Sequence, residues 1–186
     1  MPRIIAGQAK GIRLEAPDGT DTRPTADNRK EAIFSSIQFE LPGARFLDLF
    51  SGCGACGLEA LSRGAAEAVL VESAPAAASC IRNNIGKTRL SGARLIASDV
   101  FAATELLARE GKTFDIVFLD PPYHRGYEEK SVRILAEKGL VAEEGLIAVE
   151  SAADTEIPVP EGFELEKSKQ YRVTRFTLLR RKRSTE

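Results

Sequence analysis

The chain has 186 residues, 26 basic and 27 acidic side chains, a formal net charge of −1, 43% hydrophobic and 28% charged residues, three cysteines and one histidine. This describes one domain with room for a small appendage, and it excludes disordered and fibrous chains. No window approaches the run of about 18 apolar residues that a membrane span needs, and the first residues, Met1-Pro2-Arg3-Ile4-Ile5-Ala6-Gly7, carry no long apolar stretch of a secretory signal; a cytoplasmic protein is expected.

In chain order, Arg3 to Ala6 and Gly11 to Leu14 pattern as a small hairpin, followed by a loop and a helix from about Thr25 to Phe39 that Thr25 or Asp27 would cap. These residues, 1–40, are the expected appendage, and 41–186 the main domain. From Arg45 onward short apolar runs alternate with helical stretches. Phe46 to Phe50 enters the glycine-rich Ser51-Gly52-Cys53-Gly54-Ala55-Cys56-Gly57, and a helix follows over Leu58 to Arg63. Ala68 to Glu72, a helix bearing Arg82, Asn83 and Asn84, Arg94 to Ala97, and a helix from Phe101 to Arg109 come next. Phe114 to Leu119 leads into Asp120-Pro121-Pro122-Tyr123, then a helix from about Tyr127 to Lys138 and a strand at Leu146 to Glu150. Near-continuous apolar strands separated by helices predict a parallel sheet covered on both faces. After Pro158 and Pro160 the helical pattern stops. Phe163 to Lys167 and Tyr171 to Leu179 alternate around Ser168-Lys169-Gln170, which predicts an antiparallel hairpin at the end of the sheet. There is no internal repeat and no low-complexity segment.

The near-neutral total conceals a polarity. Residues 1–30 carry six Lys/Arg against four Asp/Glu, and residues 165–186 carry eight against two, leaving the middle of the chain acidic. Association with a polyanion responds to the local field and not to the mean, so the basic ends permit a nucleic-acid surface. The Arg180-Arg181-Lys182-Arg183 run taken alone also reads as a solvated tail.

Glycines in the turn after the first central strand let backbone N–H groups approach a ligand at the carboxyl end of the sheet. Gly52-Cys53-Gly54-Ala55-Cys56-Gly57 has the letters G-x-G-x-x-G, which fit a dinucleotide, another nucleoside cofactor or a tight turn alike. Glu72 ends the second strand with a carboxylate suited to ribose hydroxyls, although a surface Glu gives the same pattern. Asp120-Pro121-Pro122-Tyr123 is more specific: consecutive prolines fix φ and remove N–H donors, so carbonyl oxygens are left for a substrate. A carboxylate beside them matches an exocyclic NH₂, and the tyrosine ring offers a stacking face. Cys53 and Cys56 form a C-x-x-C pair, and Cys80 and His124 bring the zinc-ligand types to four. The second C-x-x-C of a zinc ribbon is missing, so reduced structural thiols and no metal are expected.

Asp48-Leu49-Phe50-Ser51-Gly52-Cys53-Gly54, Glu72, Asp99 and Asp120-Pro121-Pro122-Tyr123 together resemble the class I S-adenosylmethionine-dependent methyltransferases that modify exocyclic amines. Arg3-Ile4-Ile5-Ala6-Gly7, Lys10-Gly11, Arg23-Pro24-Thr25-Ala26-Asp27, Glu31-Ala32-Ile33-Phe34 and Gly57-Leu58-Glu59-Ala60-Leu61-Ser62-Arg63-Gly64 narrow the resemblance to the RsmD family. It implies a Rossmann-like α/β fold, a seven-stranded mostly parallel sheet with a C-terminal antiparallel hairpin, preceded by the N-terminal hairpin and helix. It also implies transfer of methyl from S-adenosylmethionine to N2 of one guanine in bacterial 16S rRNA. The expected substrate is rRNA within a small ribosomal subunit or an assembly intermediate, and a monomer would suffice. Asp120, Pro121, Pro122 and Tyr123 are then the catalytic residues. Asp48, Ser51, Gly52, Gly54, Glu72, Asp99 and Val100 contact the cofactor, with Arg23 and Thr25 either closing over its methionine end or meeting RNA phosphate. Lys10, Arg13, Arg172, Arg175, Arg180, Arg181, Lys182 and Arg183 face RNA. The chain departs from the family pattern at Cys53 and Cys56, where Ser and Leu are common, and at Tyr123, where Phe is frequent.

Three other readings accommodate parts of the sequence. A DNA adenine-N6 methyltransferase would use Asp-Pro-Pro-Tyr but lacks an added target-recognition domain here. A nicotinamide-dependent oxidoreductase would use the glycine turn and Glu72, leaving Asp120 to Tyr123 idle. A non-catalytic RNA-binding module on the same fold is separated only by activity.

Overall fold

A computed structural model of the chain describes residues 1–17 and 24–183. Its strands form a seven-stranded sheet in the order β3-β2-β1-β4-β5-β7-β6, and the chain divides into two compact units, Met1–Asp99 and Val100–Glu186.

The first unit contains α1 (Pro24–Ser36), β1 (Arg45–Leu49), α2 (Ala55–Ser62), β2 (Glu67–Val71), α3 (Pro75–Thr88) and β3 (Ala93–Ile96). The three strands are parallel, with Leu49 opposite Val71 and Val71 opposite Ile96. The apolar runs of β1 and β2 are buried, as expected where helices cover both faces, whereas β3, at the sheet edge, buries only Ile96. α2 is enclosed, with Gly57 to Ser62 all buried. A Cβ on Gly57 would stand 2.9 Å from Leu70 Cγ and Cδ2, so a side chain there would push the helix off β2. α1 begins at Pro24, a residue suited to a first helical position; Thr25 and Asp27, expected as caps, lie in its first turn with side chains outside the described residues.

The N-terminal pair is antiparallel as the pattern predicts, but its ladder reduces to one bridge, Arg3 with Arg13. Beyond it the segment's free donors turn to α2. Ile5 and Ala6 give their N–H groups to the Glu59 carboxylate at 2.8 and 3.0 Å, and Gln8 and Ala9 give theirs to the Ser62 carbonyl and hydroxyl at 2.7 and 2.9 Å. The segment is thereby a strap bound along α2, with Ile4 and Leu14 fully buried beneath it.

The second unit contains α4 (Val100–Arg109), β4 (Phe114–Leu119), α5 (Tyr127–Glu137), β5 (Val141–Ala152), β6 (Phe163–Gln170) and β7 (Thr174–Arg181). β4 and β5 are parallel, while β5, β7 and β6 run antiparallel to their neighbours. β5 starts at Val141, five residues earlier than the apolar run suggests. Phe114 pairs with Val141 and Ile116 with Leu146, so the intervening residues bulge, with Glu143 and Glu144 exposed and Glu144 at φ 60°. The C-terminal hairpin is present with its turn displaced. β6 absorbs one extra residue between Leu165 and Lys167 and continues to Gln170, and the reversal falls at 171–174, closed by Tyr171 N–H on the Thr174 carbonyl at 2.7 Å. β7 extends through Arg181, which makes Arg180 and Arg181 strand residues and not part of a tail. Among the described residues no helix is long and apolar enough to cross a membrane.

Candidate active site

In the first unit the chain leaves β1 through a turn stitched to the end of β2. Ser51 exchanges two hydrogen bonds with Val71: its N–H donates to the Val71 carbonyl at 2.9 Å, and its hydroxyl accepts the Val71 N–H at 3.0 Å while donating to the Asp48 carbonyl at 2.6 Å. Phe50, Gly52 and Gly54 have φ of 62°, 55° and 83°, the sharp reversal that turns the strand into α2. Glu72 closes the arrangement, accepting the Gly52 N–H on Oε2 and the Ala74 N–H on Oε1, each at 2.8 Å. Two amides use two of the roughly four acceptor positions of a carboxylate. The rest of this half-buried group stays available to hydroxyl donors, and a Cβ built on Gly52 meets nothing within 4 Å, so the turn has open space above it.

Asp48 lies beneath the turn at 1% exposure, its Oδ2 accepting the Gly57 N–H at 2.8 Å. Burial pushes its carboxyl up to about 7, reinforced by the nearby Glu72 charge and opposed by the Gly57 amide and the Ser51 hydroxyl. An unfolded Asp ionises near 3.9. Between about pH 4 and 7 the unfolded chain has therefore released a proton that the folded one keeps, and stability falls as pH rises through that window. Asp48→Asn removes the titration. Between pH 5 and 8 the parent should lose about 2 to 3 kcal/mol more than this variant in denaturant unfolding; parallel pH profiles would refute the buried acid.

Asn84 and Glu59 hold this unit together, and the sequence does not mark either as functional. Asn84 is fully buried; its Oδ1 accepts the Glu15 N–H at 2.7 Å, and its Nδ2 donates to the carbonyls of Glu15 and Cys53, both at 2.9 Å. It thus ties the end of the N-terminal strap to the glycine turn. Asn83 and Lys87 add bonds to the Glu15 carboxylate, which they hold below the usual carboxylate range. The signal available is slight: Glu59 is a charge among apolar neighbours, and Asn84 stands beside Arg82 and Asn83 with nothing to set it apart. Asp99, last residue of the unit, is exposed; Lys10 and Arg13 are exposed on the strap. Arg23 lies outside the described residues, as does the side chain of Thr25. Cys53, Cys56 and Cys80 form no disulfide, and no cluster of metal-ligating side chains occurs among the described residues.

In the second unit Asp120 stands exposed at the carboxyl end of β4, Pro121 is buried, and Pro122 is exposed. Tyr123 is half-buried and donates its hydroxyl to Oε1 of the buried Glu150 at 3.3 Å, which orients the ring. His124 follows at φ 58° and is exposed, and α5 begins after Gly126 at φ 69°. Val100 is buried at the start of α4. The eight candidate RNA residues separate in kind. Arg172, Lys182 and Arg183 are exposed, whereas Arg175 donates to the Ala153 carbonyl at 3.0 and 3.2 Å, Arg180 pairs with Glu166 and donates to the Glu144 carbonyl, and Arg181 donates to the Val141 carbonyl.

Residues 2–180 match the model of the family described as Conserved hypothetical protein 95. Over 168 residues, 90% of this chain and 83% of the relative, the sequence is 38% identical to Ribosomal RNA small subunit methyltransferase D of Escherichia coli strain K12. The chain belongs to the RsmD family. The RsmD protein of Haemophilus influenzae is 30% identical over 177 residues, covering 95% of this chain and 92% of its own. Among solved structures, a hypothetical protein of Thermus thermophilus superposes with a TM-score of 0.82 at 32% identity, covering 96% of this chain and 98% of that one. The Rossmann-like methyltransferase architecture with a C-terminal antiparallel hairpin is therefore the fold of this RsmD-family chain, and the resemblance read from the Asp120 segment, the glycine turn and the N-terminal signature identified the family correctly.

Proposed function

We propose that this RsmD-family protein is an S-adenosylmethionine-dependent methyltransferase acting on the exocyclic N2 of a guanine in small-subunit (16S) rRNA. The observation that carries the reading is the exposed Asp120 at the carboxyl end of β4, followed by two residues without N–H groups. S-adenosylmethionine supplies an electrophilic methyl on a sulfonium and departs as a neutral thioether. The first unit fits it: Glu72 retains acceptor capacity for a ribose diol, and the turn at Ser51, Gly52 and Gly54 leaves open space for close backbone approach. Asp48 supports the turn from below, with Asp99 and Val100 toward the adenine and Arg23 and Thr25 toward the methionine end.

The difficult partner is the nucleophile, because the amine's lone pair is delocalised into the base. Asp120 and a carbonyl of Pro121-Pro122 accept the amine's hydrogens and hold its lone pair in line with the transferred methyl, which is orientation and electrostatic preorganisation. Tyr123, its ring set by Glu150, offers a stacking face to the splayed-out base. Lys10, Arg13 and Arg172 supply phosphate contacts; Arg175, Arg180 and Arg181 are committed to protein carbonyls. The protein works as a cytoplasmic monomer on rRNA within a small subunit or assembly intermediate.

The test incubates the purified protein with methyl-labelled S-adenosylmethionine and, separately, unmodified small subunits, naked 16S rRNA and duplex DNA, followed by digestion to nucleosides. Label in N2-methylguanosine is expected. Label in N6-methyladenine from DNA would instead establish the DNA enzyme, and cofactor binding without transfer to any substrate would leave a binding module.

A further inference from the structure

The strand register sorts the basic residues of the C-terminal hairpin by which end of the sheet they occupy. Leu119, the residue before Asp120, pairs with Val149; Ala152 pairs with Thr174, and Ser151 with Arg175. The turn at 171–174 therefore lies at the carboxyl end of β4 and β5, the end that carries Asp120. Leu146 pairs with Arg180, which puts Arg180, Arg181 and the residues after them at the opposite end. Seven residues from Thr174 to Arg181 at about 3.4 Å each separate the two groups by roughly 24 Å.

The ribbon's charge changes along the same direction. At its root Glu166 is neutralised by Arg180, whose guanidinium also donates to the Glu144 carbonyl. From Lys167 to Arg175 there are four Lys/Arg and no acidic residue. β6 is exposed at every residue after Phe163, whereas β7 is buried from Phe176 to Leu179, so β6 projects both faces to solvent. At the tip Lys169 Nζ lies 5.2 Å from the centroid of the Tyr171 ring, Arg172 is exposed, and Val173 is 69% exposed. Arg175 fastens the tip to the sheet through the Ala153 carbonyl.

We propose that the tip of the β6–β7 ribbon, formed by Lys167, Lys169, Tyr171 and Arg172, is a docking surface for the substrate RNA, and that the Arg180 to Arg183 run is not. The partner is a single-stranded or looped segment flanking the target nucleotide: ammonium and guanidinium groups meet its phosphates, and Tyr171 offers a base a π-face. This rests on the RNA methyltransferase reading above and deepens it. Lysines on an edge strand also deter edge-to-edge pairing between copies, and the experiment separates that role from RNA contact.

In the full-length protein, Lys167, Lys169 and Arg172 are replaced together by Gln, with Tyr171→Leu as a separate variant and the triple change Arg181→Gln, Lys182→Gln, Arg183→Gln as the control. Affinity for unmodified 16S rRNA transcript is followed across salt concentrations, and binding of S-adenosylhomocysteine confirms that each variant is folded. The tip variant should lower the slope of log affinity against log salt by about 2, near 0.7 for each lost phosphate contact. Tyr171→Leu should weaken RNA at least fivefold with an unchanged slope, and the control should stay within twofold of the parent. S-adenosylhomocysteine affinity should stay parental throughout. A tip variant with parental RNA affinity and slope overturns the proposal, and does so equally if that variant self-associates, which would assign the lysines to edge protection. An effect of the control equal to that of the tip also overturns it. If the parent methylates no RNA, the underlying functional reading fails instead, and the assay shows this before any variant is compared.

Discussion

Asp120→Ala is expected to lower the rate of methyl transfer by about 10²- to 10³-fold, the usual scale for removing one preorganised electrostatic contact at a reacting centre, while S-adenosylhomocysteine binds with parental affinity. Asp120 is at the surface, and the buried proline after it fixes the backbone path at the strand end. Substitutions at exposed positions usually change stability by no more than about 0.5 kcal/mol, so a folded, cofactor-binding but slow enzyme is the predicted phenotype. Asp120→Asn separates two roles of the side chain. It keeps one acceptor oxygen but presents an NH₂ where the second oxygen was, so it retains part of the orientation and loses the negative charge that favours a developing cation on the amine. Its rate should fall between parent and alanine variant. Transfer at the parental rate by Asp120→Ala would remove the residue from the mechanism; loss of cofactor affinity in parallel with rate would make it a folding or binding residue.

Strands β1, β2 and β4 are legible because each is a mostly apolar run that ends up buried, and the turn after β1 is legible because three glycines, Gly52, Gly54 and Gly57, follow the strand. β5 was read short: Glu143-Glu144-Gly145 looks like a loop, yet a bulge carries it within the strand, and the pairing of Val141 with Phe114 shows only in three dimensions. The hairpin turn was placed three residues early because Ser168-Lys169-Gln170 has turn composition, while the extra residue of β6 moved the reversal to 171–174. Arg180 and Arg181 looked like a tail since charge at a chain end reads as solvated; their partners are carbonyls of Glu144 and Val141, some 40 residues away. The same blindness hid Asn84 and Glu59. Each is defined by backbone groups 50 to 70 residues distant, and no local pattern encodes such a partner.

Glu59 leads to the largest expected loss of stability. Its carboxylate is fully buried in α2, accepts the N–H groups of Ile5 and Ala6, pairs with Arg63 Nε at 2.7 Å and with Lys30 Nζ at 3.3 Å, and both cations are themselves largely buried. Lys30 in turn donates to the Arg3 carbonyl, and the Arg63 guanidinium lies 5.1 Å from the Phe34 ring centroid, so one carboxylate organises the strap, α1 and α2. A buried ion pair gains little over an apolar replacement of both partners, but removing one partner strands the others. Glu59→Ala leaves two cations and two amide donors without their acceptor, a loss of about 3 to 5 kcal/mol. For a chain of this size each kcal/mol moves the melting temperature by about 2 to 4 °C, so a fall of roughly 6 to 20 °C is expected. Glu59→Gln should recover only part of it, since its NH₂ would face either an amide donor or a cation. Local proteolysis gives the second readout: the strap carrying Lys10 and Arg13 should become cleavable in Glu59→Ala at temperatures where the rest of the chain stays folded. A melting temperature within 1 °C of the parent, with the strap still protected, would mean that the apolar anchors Ile4 and Leu14 hold the strap and that the carboxylate merely neutralises the cations around it.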